Sequence, residues 1–116
     1  MQIKKRENKS KMNDHFKCIY RILSTIENEM DSKSFDIEKI SPKMIKISEE
    51  RWVKYINMLV DAGYIKGIEA RYDINEELDI NINGIEITLK GLEYLSENTI
   101  MQRIYKMAKG IIEIVP

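Results

Sequence analysis

The chain has one cysteine, Cys18, and one histidine, His15. A single cysteine excludes an intramolecular disulfide and a cysteine-built zinc site. A single histidine excludes a multi-histidine metal centre. No run of about 18 apolar residues occurs, so no transmembrane helix is expected. The basic start, MQIKKRENKSKMND, is not followed by the apolar core of a signal peptide. A cytoplasmic protein is the simple expectation. The sequence has no glycine-rich phosphate loop, no nucleophile elbow and no pair of carboxylates in an apolar setting. Neither an enzyme nor a bound cofactor is expected. Cys18 lies in the apolar run HFKCIYRIL and reads as a small core residue. His15, three positions away, is the only base near it, and nothing completes a triad.

What is present fits one domain. Of 116 residues, 43% are hydrophobic, enough for a compact core, and 33% are charged. The net charge is zero but unevenly spread. Met1 to Leu23 carries seven Lys/Arg against two Asp/Glu, a net of +5. Tyr72 to Ile100 carries only Lys90 against seven Asp/Glu, a net of −6. A basic end and an acidic flank are a weaker pointer to nucleic acid than a wholly basic domain.

The pattern of apolar residues supplies the elements. Residues 1–12 read as a basic flexible segment. Asn13 or Asp14 then caps a first helix over about Asp14 to Met30, with Phe16, Ile19, Tyr20, Leu23 and Ile26 on its inner face. Ile37 and Ile40 plug the core from an extended or turn segment. Ser41 and Pro42 are an N-cap and N1 pair for a short second helix. Ser48 caps a third helix over about Glu49 to Ala62, ending at Gly63. Its core face is Trp52, Ile56, Leu59 and Val60, widened by Val53.

YIKGIEARY alternates as a strand. DINEELDINING reads as a long polar loop, and IEIT as a second strand, making a hairpin. Thr88 caps a fourth helix, LKGLEYLSEN, with Leu89, Leu92 and Leu95 inward. Gly91 lets its backbone approach a neighbour closely. TIMQRIYKMAKGIIEIV is a fifth helix with Ile100, Ile104, Met107 and Ile111 near heptad spacing.

A three-helix core followed at once by a hairpin is the winged-helix order. The fold class is therefore α+β, mostly α: a winged helix-turn-helix with additional C-terminal helices. Residues 13–98 form the winged-helix domain. Residues 99–116 form a helix that packs on the core or makes a homodimer seam through Ile100, Ile104, Met107 and Ile111.

RWVKYINMLVDAGYIKGI, ITLKGLEYLSEN and IMQRIYKMAKGI resemble the YjcQ-like family of small proteins from low-GC Gram-positive bacteria and their prophages. The resemblance covers roughly Phe16 to Ile112 and leaves out the basic start. It implies a winged-helix fold and, by inference, a DNA-binding regulator.

In a DNA-binding winged helix the third helix enters the major groove. Its outward residues are Glu50, Arg51, Lys54, Asn57 and Met58, with Tyr55 at the edge. Arg51 and Lys54 suit phosphate or guanine, and Asn57 suits adenine. Ser48 and the first-turn amides suit a phosphate. Lys4, Lys5 and Arg6, with Lys9 and Lys11, would add phosphate contacts from a flexible arm, and Arg71 is the one cation at the root of the wing. Against this, the wing carries Asp73, Glu76, Glu77 and Asp79, which phosphates repel. Double-stranded DNA is thus one expected partner. The alternative is a protein-interaction module that uses the acidic wing or the C-terminal stripe. The alternation of Asp73, Asn75, Glu77 and Asp79 resembles the start of a calcium loop, but Leu78 stands where the glycine is needed, so no metal is expected.

Overall fold

A computed structural model of the chain describes residues 4–98 together with Arg103 and Met107, and side chains from Asp14 onward. The described residues form four α-helices and one two-stranded antiparallel hairpin. The chain is mostly helical and of the α+β class, in an order consistent with a winged helix.

Helix α1 runs Lys4–Asn28. It starts ten residues before the expected Asp14, and Asn13 and Asp14 lie inside it. Residues 4–13 contain no Gly or Pro and several good helix formers (Lys, Arg, Glu, Met), so nothing local stops the helix from extending backward. Tyr20, Ile22, Leu23 and Ile26 are buried on its inner face. Phe16, expected inward, is 44% exposed, and Met30, the expected end of the helix, is 55% exposed. Met30 lies past the last helical residue.

After a turn, Ile37–Ile40 forms a single 3₁₀ turn rather than an extended piece, with Ile40 fully buried. Helix α2, Pro42–Ile45, is capped by Ser41, whose hydroxyl accepts from the Met44 amide at 3.3 Å. Helix α3, Glu49–Asp61, is capped by Ser48, which accepts from the Arg51 amide at 3.1 Å. Between them Lys46 sits at φ 66°, and the Lys46 and Ile47 amides both donate to the Pro42 carbonyl, at 2.7 and 3.1 Å. That closes a tight helix–turn–helix. Trp52, 1% exposed, donates its indole N–H to the Ile40 carbonyl at 2.6 Å and fixes α3 against the 3₁₀ turn.

Strands β1 (Ile65–Tyr72) and β2 (Leu78–Ile87) pair antiparallel. The second strand starts seven residues before the expected IEIT, so the long loop shrinks to the turn between Tyr72 and Leu78. Leu78, Ile80 and Ile82 face across to Tyr72, Ala70 and Ile68. The Asn and Asp residues between them masked this alternation. The ladder kinks where Gly67 (φ +87°) faces Gly84 (φ +72°). A Cβ on Gly67 would run into the Gly84 backbone, so this position needs glycine for both space and conformation.

Helix α4, Leu89–Glu97, begins at Thr88, whose side chain accepts from the Gly91 amide at 3.1 Å. The Thr88 hydroxyl donates to the Gly63 carbonyl at 2.5 Å, and its amide donates to the Tyr64 carbonyl at 3.0 Å. Gly91 is buried against the Tyr64 carbonyl, and a Cβ there would stand 2.7 Å from Ile87 Cγ1. The strand exit and the end of α3 are thereby locked together. Leu92 and Leu95 pack on the core as expected, and Tyr94 stacks on Tyr64 at 5.1 Å, but Leu89 is 74% exposed. The expected fifth helix, with Ile100, Ile104 and Ile111, lies outside the described residues. Met107 is helical and 69% exposed. Among the described residues no helix is long and apolar enough to cross a membrane.

Candidate nucleic-acid interface

The core face of α3 is Trp52, Val53, Tyr55, Ile56 and Leu59. Its exposed positions include Glu49, Glu50, Lys54, Asn57 and Met58, and Arg51 is half-buried. Four of the outward residues expected from sequence, Glu50, Lys54, Asn57 and Met58, are exposed, and Arg51 is partly covered.

Tyr55 is a correction. It is 2% exposed and cannot enter a groove. Trp52, Tyr55, Ile56 and Leu59 stand at i, i+3, i+4 and i+7, the spacing of one inward stripe. Its burial was therefore legible in the spacing. Burial, then the neighbouring Cys18, raise its phenol above the ordinary tyrosine value. Its hydroxyl lies 2.5 Å from His15 Nδ1, and the two rings meet edge to face at 5.8 Å.

This contact joins α1 to α3. Between the two helices lies an open cleft of about 510 Å³. His15, Phe16 and Ile19 line it from α1. From the α3 side come Ser48, Glu50, Arg51, Lys54, Tyr55 and Met58. Six of the residues expected to meet DNA thus share one concave surface. Phe16 and Ile19, which sequence reasoning placed in the core, form its other wall. Arg51 and Lys54 are in no ion pair among the described residues.

Lys4, Lys5 and Arg6 lie in the first turn of α1. At 1.5 Å per residue, Lys4 is about 16 Å along the helix from His15. The basic segment is thus a continuation of the helix that flanks α3. Arg71 stands apart, exposed on β1 opposite Asp79 and away from the cleft. Asn57 is exposed but outside the cleft lining.

Cys18 is half-buried beside this site. Burial, then the Asp14 carboxylate, push its thiol above the ordinary value, opposite to what a nucleophile needs. His15 is turned to Tyr55 instead.

The hairpin tip is acidic and tightly turned. The Asp73 carboxylate accepts from the amides of Asn75 (2.8 Å) and Glu77 (2.9 Å), the Asp73 amide donates to the Glu77 carbonyl, and Glu76 sits at φ 60°. Asp73 is therefore occupied in holding the turn. Among the described residues no three of His, Cys, Asp and Glu gather as metal ligands.

The architecture is a small helical domain with a hairpin appended to its third helix. The chain belongs to the YjcQ family, whose model, described as YjcQ protein, matches residues 20–114. No curated protein and no solved structure matches the chain.

Proposed function

We propose that this YjcQ-family protein is a winged-helix transcription regulator of prophage type that binds double-stranded DNA through α3. Arg51 and Lys54 grip phosphate or guanine, Asn57 reads a base edge, and the first turn of α1 adds cations. The supporting observation is the joint of α1 to α3 at His15 and Tyr55. It sets the helix bearing Lys4, Lys5, Arg6, Lys9 and Lys11 beside the helix bearing Arg51 and Lys54. In the sequence these seven cations outnumber Glu7, Asp14, Glu49 and Glu50 on the same two segments, as a phosphate-binding surface requires. The acidic wing points to a geometry in which DNA meets the α1 and α3 side and not the hairpin. No catalytic step belongs to this role.

The test is fluorescence anisotropy with random and genomic duplexes at about 50 and about 200 mM salt. The wild type should bind and weaken steeply with salt. The double variant Arg51→Glu, Lys54→Glu changes two surface positions and should lose binding while staying folded. Absence of wild-type binding at the lower salt sinks the proposal.

A protein-interaction role is favoured by one specific feature. Ile74 at the acidic wing tip is 95% exposed, which DNA binding does not use.

A further inference from the structure

We propose that the chain associates with a second copy of itself, the wing tip of one copy seating in the α1–α3 cleft of the other. The cleft has the character of a docking groove. On the α1 wall Phe16 is 44% exposed, with half-buried Ile19 beside it, and on the other wall Met58 is 56% exposed. Large apolar side chains gathered on facing helices mark a surface that a partner covers. The groove lining carries two cations, Arg51 and Lys54, which are in no ion pair among the described residues, against one carboxylate, Glu50. Its occupant must offer an apolar group and negative charge together.

The hairpin tip offers both. Ile74 projects almost fully into water, with Asp73 before it and Glu76 and Glu77 after it. Its shape is fixed in advance by the Asp73 carboxylate, which holds the Asn75 and Glu77 amides. A preformed tip loses little freedom on docking. Other segments of the chain fit less well. Residues 99–116 carry Arg103, Lys106 and Lys109 against one Glu113, the same sign as the groove rim, and like charges disfavour that contact.

The groove lies between α1 and α3 and the tip at the turn of the hairpin, two separate places on one chain. Two copies related by a two-fold axis can exchange tips, making the contact twice. One tip in one groove is small beside a stable interface of about 1,200 Å² or more, so the association is weak and reversible.

Sedimentation velocity without DNA tests this, from about 10 µM to about 1 mM chain. The mass should rise from one chain toward two. Ile74→Asp and Met58→Asp, both at exposed positions, should each weaken association about tenfold or more. Dilution of labelled wild type followed by amide NMR should move residues 73–77 together with those around Phe16 and Met58. A wild type that stays monomeric over the whole range overturns the proposal. So does association that either variant leaves unchanged, or dilution shifts that map elsewhere. Because DNA is absent, these outcomes are independent of the DNA role.

Discussion

The hydroxyl of Tyr55 and Nδ1 of His15, forty residues apart in sequence, lie 2.5 Å from each other and tie the first helix to the third. The bond is part-buried, and the tyrosine ring belongs to the core. Tyr55→Phe keeps the ring and removes the bond. It should lower the unfolding free energy by about 1 kcal/mol. Urea denaturation of the variant beside the wild type measures this. The same substitution should loosen the basic end of α1, visible as faster amide exchange over residues 14–18.

Gly91 has no room for a methyl group. A Cβ there meets the Tyr64 carbonyl and Ile87. Gly91→Ala should cost about 1–3 kcal/mol despite alanine's better helix propensity, because overpacking outweighs the roughly 1 kcal/mol gained in the helix. A melting temperature equal to or above wild type would show that α4 can move away at little cost.

Leu89 makes the opposite case. It stands in the same helix but is 74% exposed. Leu89→Gln should leave stability within about 0.5 kcal/mol of wild type. Thermal denaturation of the two variants side by side separates a leucine in the pattern from a glycine in the contact.

Glu29 supplies a pH signature. Its hydrogen bond to Lys39, and then Lys39's charge, hold its carboxyl below the ordinary glutamate value. A depressed carboxylate stabilises the fold fully above its unfolded value, and that stabilisation is lost as pH falls through the folded value. Lys39→Met should return Glu29 toward the ordinary glutamate value and flatten the acid limb of the stability curve. Carboxyl carbon NMR titration reads the first effect directly.

The Asp73 turn can be tested at the wing alone. Asp73→Ala removes the acceptor for two amides. It should cost about 1 kcal/mol locally and raise amide exchange at Asn75 and Glu77 while leaving α3 protected. Exchange rates that rise equally in α3 would mean that wing and core open together.

Short-range signals in the sequence were reliable where a single residue carries the geometry. Ser41, Ser48 and Thr88 all cap helices, Gly63 turns left-handed after α3, and Gly91 marks a close approach. Longer-range features were less legible. In β2 the apolar alternation of Leu78, Ile80 and Ile82 is interleaved with Asp and Asn, residues that also favour turns, so strand and loop look alike. The start of α1 has good helix formers but no apolar stripe, so the periodicity that marks helices elsewhere is missing. Most of the site was visible as an outward face of α3. What stayed hidden was its second wall: Phe16 fits the inward spacing of α1, and only the packing of α1 across α3 turns it into the cleft.

The kink at Gly67 and Gly84 has a consequence for how this hairpin can change length. Inboard of it, Ile65, Ile85 and Ile87 face the core from odd-numbered positions, while outboard the buried Ile68 and Ala70, with exposed Ile82 paired opposite Ile68, sit on even ones. The two glycines thus reset the phase of both strands at one rung. The outer hairpin becomes a separable arm: matched rungs, one residue from each strand and two at a time, could be deleted or added near Arg71 and Asp79 without turning Ile85 or Ile87 out of the core. Its reach and charge are free to vary while the domain beneath it keeps one anchor.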